Sequence, residues 1–217
     1  MMTRLVVSSF ALALVSSVTA CGGRQEPESA PVVEEEPMAM LSLIHAAGAP
    51  RATAMLGAIE LGALASGESS DMAPVPAGSR TLAINAVDGE TELASERVTL
   101  AADTEYVGIV GGTTESLFLV LLDDGIPTPA EGTAFVRFVN GLNSPVTVTA
   151  GERELAGGLA SGTFTTYTQM APESYRFEAA AGDATGGVSV SVNAGGTYLV
   201  IPFMSGTEIG FVVKTLR

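Results

Sequence analysis

The sequence predicts an all-β protein made of two tandem β-sandwich domains, preceded by a cleaved signal and a disordered linker. Three observations carry this expectation. Short apolar or alternating runs of strand length recur from Met38 onward, with turn residues between them. No segment beyond the first 20 residues keeps a helical period. The block Leu64-Ala65-Ser66-Gly67 also recurs as Leu159-Ala160-Ser161-Gly162, 95 residues further on.

The strand-length runs are Ala39 to Ile44, Ser79 to Ile84, Glu105 to Val110 and Leu117 to Leu122. Ala49-Pro50, Pro76-Ala77-Gly78, Asp88-Gly89, Ala101-Ala102-Asp103 and Gly111-Gly112 read as the turns between them. Ala46 to Leu64 is alanine-rich, but its glycines and Pro50 argue against a helix.

The repeat extends well beyond the four-residue block. At the same shift Pro50 meets Pro145, Gly62 meets Gly157, Ser79 meets Ser174, and Ala86 meets Ala181. After a three-residue difference in the turn from Asp88 to Glu96 the shift becomes 92, and Tyr106 meets Tyr198 while Val120 meets Val212. The domains are therefore placed at residues 38–125 and 132–217, joined by a stiff connector at 126–131 that holds Pro127 and Pro129. Each unit has room for about seven strands, the size of an immunoglobulin-like or transthyretin-like sandwich. Tyr106, Phe118, Phe138, Phe177, Tyr198 and Phe211 are the large side chains expected on the inward faces.

Residues 1–20 have the order of an export signal: Arg4, an apolar stretch from Leu5 to Val18 broken by serines, and small residues before Cys21. The apolar stretch is short for a bilayer span, which takes ~20 residues. Val18-Thr19-Ala20-Cys21-Gly22-Gly23 resembles a bacterial lipobox. That resemblance implies that the thiol of Cys21 receives a diacylglycerol and that its freed amino group is acylated, typically by a palmitate-like chain. It thus implies a lipoprotein, with the membrane as a partner through this lipid. Several acyl chains give durable anchoring where one gives marginal binding. Gly22 rather than Asp after the cysteine implies outer-membrane sorting, at the periplasmic face or the cell surface. Cys21 is also the only cysteine, so no disulfide is expected.

Residues 21–37 form the lipidated cysteine and a linker rich in proline and glutamate, which should stay extended and hold the folded part off the bilayer. Removing Arg4 with the signal leaves nine basic residues against 24 acidic ones, a charge of about −15. Such a balance argues against nucleic-acid binding, which neutralises phosphates with Lys and Arg.

The residue inventory narrows the chemistry. With Cys21 acylated there is no thiol nucleophile. His45 is the only histidine and would have to be the base of any serine pair, yet no Gly-x-Ser-x-Gly elbow occurs. It reads as a polar residue steadying a turn at the end of the first strand, beside Ala46 to Pro50. Zinc ligands are too few for a metal site. Asp123-Asp124-Gly125 reads as a turn rather than a calcium loop. Gly111-Gly112, Gly157-Gly158 and Gly195-Gly196 read as glycine pairs between strands, without the helix a phosphate cradle needs. No catalytic residue, metal or cofactor is expected. The chain reads as a non-catalytic envelope module that binds an envelope protein or a polysaccharide, or acts structurally.

Two resemblances bear on this expectation. Ile44-His45-Ala46, Gly67 to Asp71, Val75-Pro76-Ala77-Gly78 and Ala102 to Tyr106 resemble the motifs of the bacterial domain of unknown function family 4397. That family often occurs as tandem copies in secreted or lipid-anchored proteins. The pattern departs at Met72, where the family has Tyr; unit two keeps Tyr167 but has Asn140 for the histidine and Glu173 for the strand-entry glycine. Gly132 to Asn140, with the Gly162 turn and the Tyr175 strand, is similar to the accessory periplasmic protein of alginate O-acetylation. That second resemblance implies an alternative role, as an accessory component in the O-acetylation of an exported polysaccharide.

Overall fold

The structure, a computed structural model, describes residues 36–87, 91–123 and 125–217. Repeat 1 contains β1 (Met38–Gly48), β2 (Ala52–Leu56), β3 (Ile59–Leu64), β4 (Ala73–Pro76), β5 (Gly78–Ala86), β6 (Glu92–Leu100), β7 (Glu105–Thr113) and β8 (Ser116–Leu122). Repeat 2 contains β9 (Ala134–Phe138), β10 (Val146–Ala150), β11 (Arg153–Leu159), β12 (Thr168–Met170), β13 (Ser174–Ala181), β14 (Ala184–Ser191), β15 (Thr197–Ser205) and β16 (Glu208–Thr215). Each repeat thus has eight strands rather than seven. The short edge strands β4 and β12 are the ones an apolar pattern leaves out, because they hold few core residues.

The two repeats share one topology. Repeat 1 forms sheets ordered β4-β1-β7-β8 and β3-β2-β5-β6; repeat 2 forms β12-β9-β15-β16 and β11-β10-β13-β14. In both, the first strand of the repeat runs parallel to the seventh. Lettered A to H, each repeat pairs D-A-G-H and C-B-E-F. This is not the ABED and CFG pairing of immunoglobulin domains, and of the two expected types it leaves the transthyretin-like one. The prolines at 74 and 76 lie on edge strand β4, where their missing N–H groups cost no ladder bond.

Three apolar cores hold these sheets. One lies between the two sheets of repeat 1 and includes Leu43, Leu56, Leu82 and Ile84. A second lies between the sheets of repeat 2, where Phe138 meets Phe177 edge-on at 5.4 Å between ring centroids and Tyr175 stacks on Phe177 at 5.7 Å. Such aromatic pairs add roughly 0.5–1.5 kcal/mol each to their area burial. The third core lies between the repeats: Ile44, Ile109 and Val120 of repeat 1 face Val139, Ile201 and Phe203 of repeat 2. Residues 36–217 consequently form one compact unit of four stacked sheets.

Burial on both faces explains the two kinds of strand in the sequence. The inner strands β1, β7 and β15 are buried along nearly every residue and read as continuous apolar runs. Outer strands such as β13 alternate, with only one face covered. Phe118, expected inside a sandwich, packs instead on the core between the repeats.

Two glycine pairs also depart from the expected turns. Gly111-Gly112 lies within β7 and Gly157-Gly158 within β11, while Gly195-Gly196 does precede β15. The reason at Gly111 is steric: a Cβ there would lie 2.4 Å from the Phe118 ring on the neighbouring strand. Glycine makes room for the aromatic ring, not for a turn.

Candidate functional site

Among the described residues, the registers place turns at two opposite ends. The chain enters at Glu36 and Pro37, where the Pro37 carbonyl accepts the Ala77 N–H at 2.9 Å and Glu36 pairs with Arg80 at 2.9 Å. Because β1 and β7 run up from this proximal end, the turn 101–104, Asp123 and the segment 125–133 lie there as well. The turns 49–51, 65–69 and 114–115 lie at the opposite, distal end. Repeat 2 points the same way. At the proximal end Arg217 approaches Glu105 at 3.6 Å, and at the distal end the Gly112 N–H donates to the Gly141 carbonyl at 2.8 Å. Both Leu-Ala-Ser-Gly blocks are therefore distal.

The block recurs because it builds the same clamp twice. In repeat 1 the Gly67 N–H donates to His45 O at 2.7 Å, and His45 N–H donates to Glu68 O at 2.9 Å. In repeat 2 Gly162 N–H donates to Asn140 O and Asn140 N–H to Thr163 O, the same two bonds 95 residues on. Three residues further, Ser70 and Thr165 accept the N–H groups of Leu43 and Phe138 on their hydroxyls, at 2.9 and 3.1 Å. Both turn glycines have positive φ, +85° at Gly67 and +67° at Gly162, a region other residues enter at a cost.

The side chain at the first clamp position closes the loop. His45 Nδ1–H donates to Leu64 O at 3.1 Å, and Asn140 Nδ2 donates to Leu159 O at 2.8 Å. Histidine and asparagine thus do the same work at matched positions. Asn140 adds a bond from Nδ2 to Ser144 O and accepts the Leu142 N–H on Oδ1, both at 2.8 Å. His45 does not sit at a strand end as expected, because β1 continues through Ala46 and Ala47 to Gly48; small residues let that stretch lie between two sheets. It is 2% exposed, and its Nε2 has no hydrogen-bond partner among the described residues. Burial lowers its pKa below 6.5, against the opposing pull of the Leu64 and Ala65 carbonyls and the Glu68 charge. What the imidazole visibly does here is hold the turn, through its bond to Leu64 O.

The exposed part of the distal end differs between the repeats. Repeat 2 carries Phe164, 42% exposed, and behind it the buried Arg137 guanidinium lies 5.0 Å from the Phe164 ring centroid and 3.9 Å from that of Tyr167. Arg137 thus bridges two rings, and Phe135 packs on one of them, meeting Tyr167 at 6.1 Å. The matched positions in repeat 1 are Met40, Ser42, Ser69 and Met72, and the missing tyrosine at Met72 goes with a missing arginine at Ser42. The distal end therefore presents one aromatic ring beside two turns rich in hydroxyls and backbone polar groups, a surface suited to binding. No pattern in the sequence distinguishes Phe164 from a core phenylalanine.

The other residues considered from sequence are dispersed. Cys21 and most of the glutamate-rich linker lie outside the described residues, as does Asp124, and Asp123 is exposed after β8. Among the described residues no group of three or more His, Cys, Asp or Glu side chains is placed to hold a metal, and no helix is long and apolar enough to cross a membrane.

Residues 39–144 match the family described as a domain of unknown function, DUF4397, so such a domain covers repeat 1 and reaches past β9. No curated protein matches the chain. Among solved structures, the chain is similar to CBMbc, a family 26 carbohydrate-binding module from Eubacterium rectale Amy13K in complex with maltoheptaose. The identity is 12%, with 83% of this chain and 97% of that one covered and a TM-score of 0.27, a likeness that carries no argument about ligand.

Proposed function

We propose that this chain is a non-catalytic lipoprotein of the cell envelope that binds an envelope protein or polysaccharide through the distal end of its duplicated sandwich. The observation that carries the reading is the placement of the two ends. The chain enters the folded body at Pro37, and both Leu-Ala-Ser-Gly turns and Phe164 lie at the opposite end. With Cys21 acylated, the 15 residues from 22 to 36 would reach about 50 Å when extended. The tether then joins the folded body at the end opposite the distal turns and leaves those turns clear for a partner. Loops held by a rigid scaffold are the usual place for such contacts.

Two experiments test this together. Membrane fractionation should find wild-type protein in the envelope and Cys21→Ser released or unprocessed; Cys21→Ser held in the membrane at mature size sinks the anchor. Pull-down from gently solubilised envelopes should recover a partner that Phe164→Ala loses and the proximal substitution Glu152→Ala keeps. Equal loss from both variants, with both folded, would remove the distal end from the reading.

A further inference from the structure

The two repeats differ most in how their own sandwiches are filled. Repeat 2 packs Phe138, Phe177 and Tyr175 between its sheets, whereas repeat 1 has Leu43, Leu82 and Arg80 at the matched positions. Leu43 also leans toward β7: its Cδ2 lies 2.6 Å from where a Cβ on Gly108 would be, and the matched residue in repeat 2 is Val200. Smaller side chains drawn to one side leave space on the other. A cleft of ≈ 320 Å³ opens there, on the flank between edge strands β3 and β4.

Its apolar lining comes from Leu41 and Leu43 of β1 with Ile59 and Leu61 of β3, and its rim carries Glu60 and Asp71. Ile59 is 40% exposed, an apolar side chain left at the mouth. Leu155 and Thr166 stand at the two rim positions in repeat 2, so the paired acids at this rim are a feature of repeat 1. A cleft of the same ≈ 320 Å³ on the flank of repeat 2 takes in Leu155 but extends to Met170 and Tyr175 instead. The volume lies at the lower end for small-molecule sites.

We infer that this cleft is a binding site for a small cationic amphiphile, an apolar chain bearing an ammonium or similar head. The chain would replace water against Leu41, Leu43 and Leu61, and each buried CH₂ adds to the gain. The head would rest between the Glu60 and Asp71 carboxylates. Those charges select against a carboxylate or phosphate on the same chain, because like charges at the mouth repel it. Lys214 adds one positive charge near Asp71, its ammonium group donating to the Ser70 carbonyl at 2.7 Å. The two carboxylates that line the mouth outnumber it and leave the mouth negative on balance.

Methyl NMR titration of the full chain carrying Cys21→Ser, which avoids detergent, tests the site with hexylammonium, hexanol and hexanoate. Hexylammonium should shift the methyl signals of Leu41, Leu43, Ile59 and Leu61 saturably, with hexanoate binding at least about tenfold more weakly. Leu43→Phe, which installs the residue of repeat 2, should weaken hexylammonium binding by about tenfold or more. Gly108→Ala should also weaken it, because the new Cβ pushes Leu43 into the cleft; this decides the matter if Leu43→Phe does not fold. Glu60→Gln with Asp71→Asn should lower affinity for hexylammonium and leave hexanol unchanged. Absence of saturable shifts, or equal binding by wild type and Gly108→Ala, overturns the site; equal binding of hexanoate overturns its charge selectivity.

Discussion

The amide of Gly112 donates to the carbonyl of Gly141 at 2.8 Å and so bonds the backbone of repeat 1 to that of repeat 2. Gly141 in turn donates its own N–H to Pro202 O at 3.1 Å. This close approach is possible because neither glycine has a Cβ. On Gly141 it would stand 2.8 Å from the Ala46 carbonyl oxygen and 2.9 Å from that of Pro202. Around this point each repeat sends a phenylalanine to the turn of the other. Phe118 lies 3.3 Å from a Cβ position on Gly162, and Phe203 lies 3.6 Å from that on Gly67. Each ring also covers a glycine across its own ladder, at the pairs Gly111–Phe118 and Phe203–Gly210. The order of the pair is swapped between the repeats, while its effect is kept.

The backbone contact predicts the cost of adding one methyl group. Gly141→Ala must displace backbone, not a flexible side-chain end, and should lose about 1–3 kcal/mol. Scanning calorimetry should show one transition at lower temperature, because the shared core couples the repeats. An unchanged transition temperature would mean that the repeats are not in contact at this point.

The second clamp predicts an asymmetry between loss and exchange. Asn140→Ala strands the Leu142 N–H and the carbonyls of Ser144 and Leu159. It should cost at least about 2 kcal/mol in urea unfolding, since each buried group left without a partner costs roughly 1–3 kcal/mol. His45→Asn copies repeat 2 and should cost less than His45→Ala. If the two His45 variants are equally destabilised, the bond to Leu64 O is not what holds the turn.

The buried imidazole predicts a pH effect. His45 in the unfolded chain titrates near 6.5, and burial holds its folded pKa lower. The folded state therefore binds the proton less readily, so His45 contributes full stability above about pH 6.5 and loses it as the pH falls toward the folded pKa. Below that folded pKa its contribution no longer changes. Urea midpoints at pH 7.5, 6.5 and 5.5 should fall more steeply for wild type than for His45→Gln. Parallel slopes would show that His45 titrates alike in both states.

Two tyrosines predict a matched pair of losses. The Tyr106 hydroxyl accepts the Ala101 N–H at 2.9 Å and the Tyr198 hydroxyl accepts the Asn193 N–H at 3.0 Å, each tying the start of a strand to the preceding turn. Tyr106→Phe and Tyr198→Phe should each cost roughly 0.5–1.5 kcal/mol. Their effects should add within about 0.5 kcal/mol, because they serve separate repeats. Chemical denaturation of the two single variants and the double variant checks this.

Much of this architecture is legible along the chain. Outer strands such as Ser174 to Ala181 alternate, and the short turns between strands carry Gly, Pro and Asp. The Leu-Ala-Ser-Gly block marks the duplication, though not the reason for it, which is the clamp on His45 and Asn140. Where the reading fails, small residues are at fault. Gly111-Gly112 looks like a turn because glycine favours turns, yet here it makes room for Phe118 and for the second repeat. The Ala46-Ala47-Gly48 stretch hides the end of β1 for a similar reason, and with it the position of His45.

What the sequence by itself determined is local: strand class, the duplicated order of strands and turns, and the residues able to fill each sandwich. These follow from side-chain period and turn chemistry, which act over a few residues. Only the tertiary structure decided that the two sandwiches share a third core, and that both clamped turns end on the same side. A continuous apolar run such as β7 marks a strand covered on two faces but does not say what covers the second. Which surface meets the second face depends on contacts such as Gly112 with Gly141, made between residues 29 positions apart along the chain.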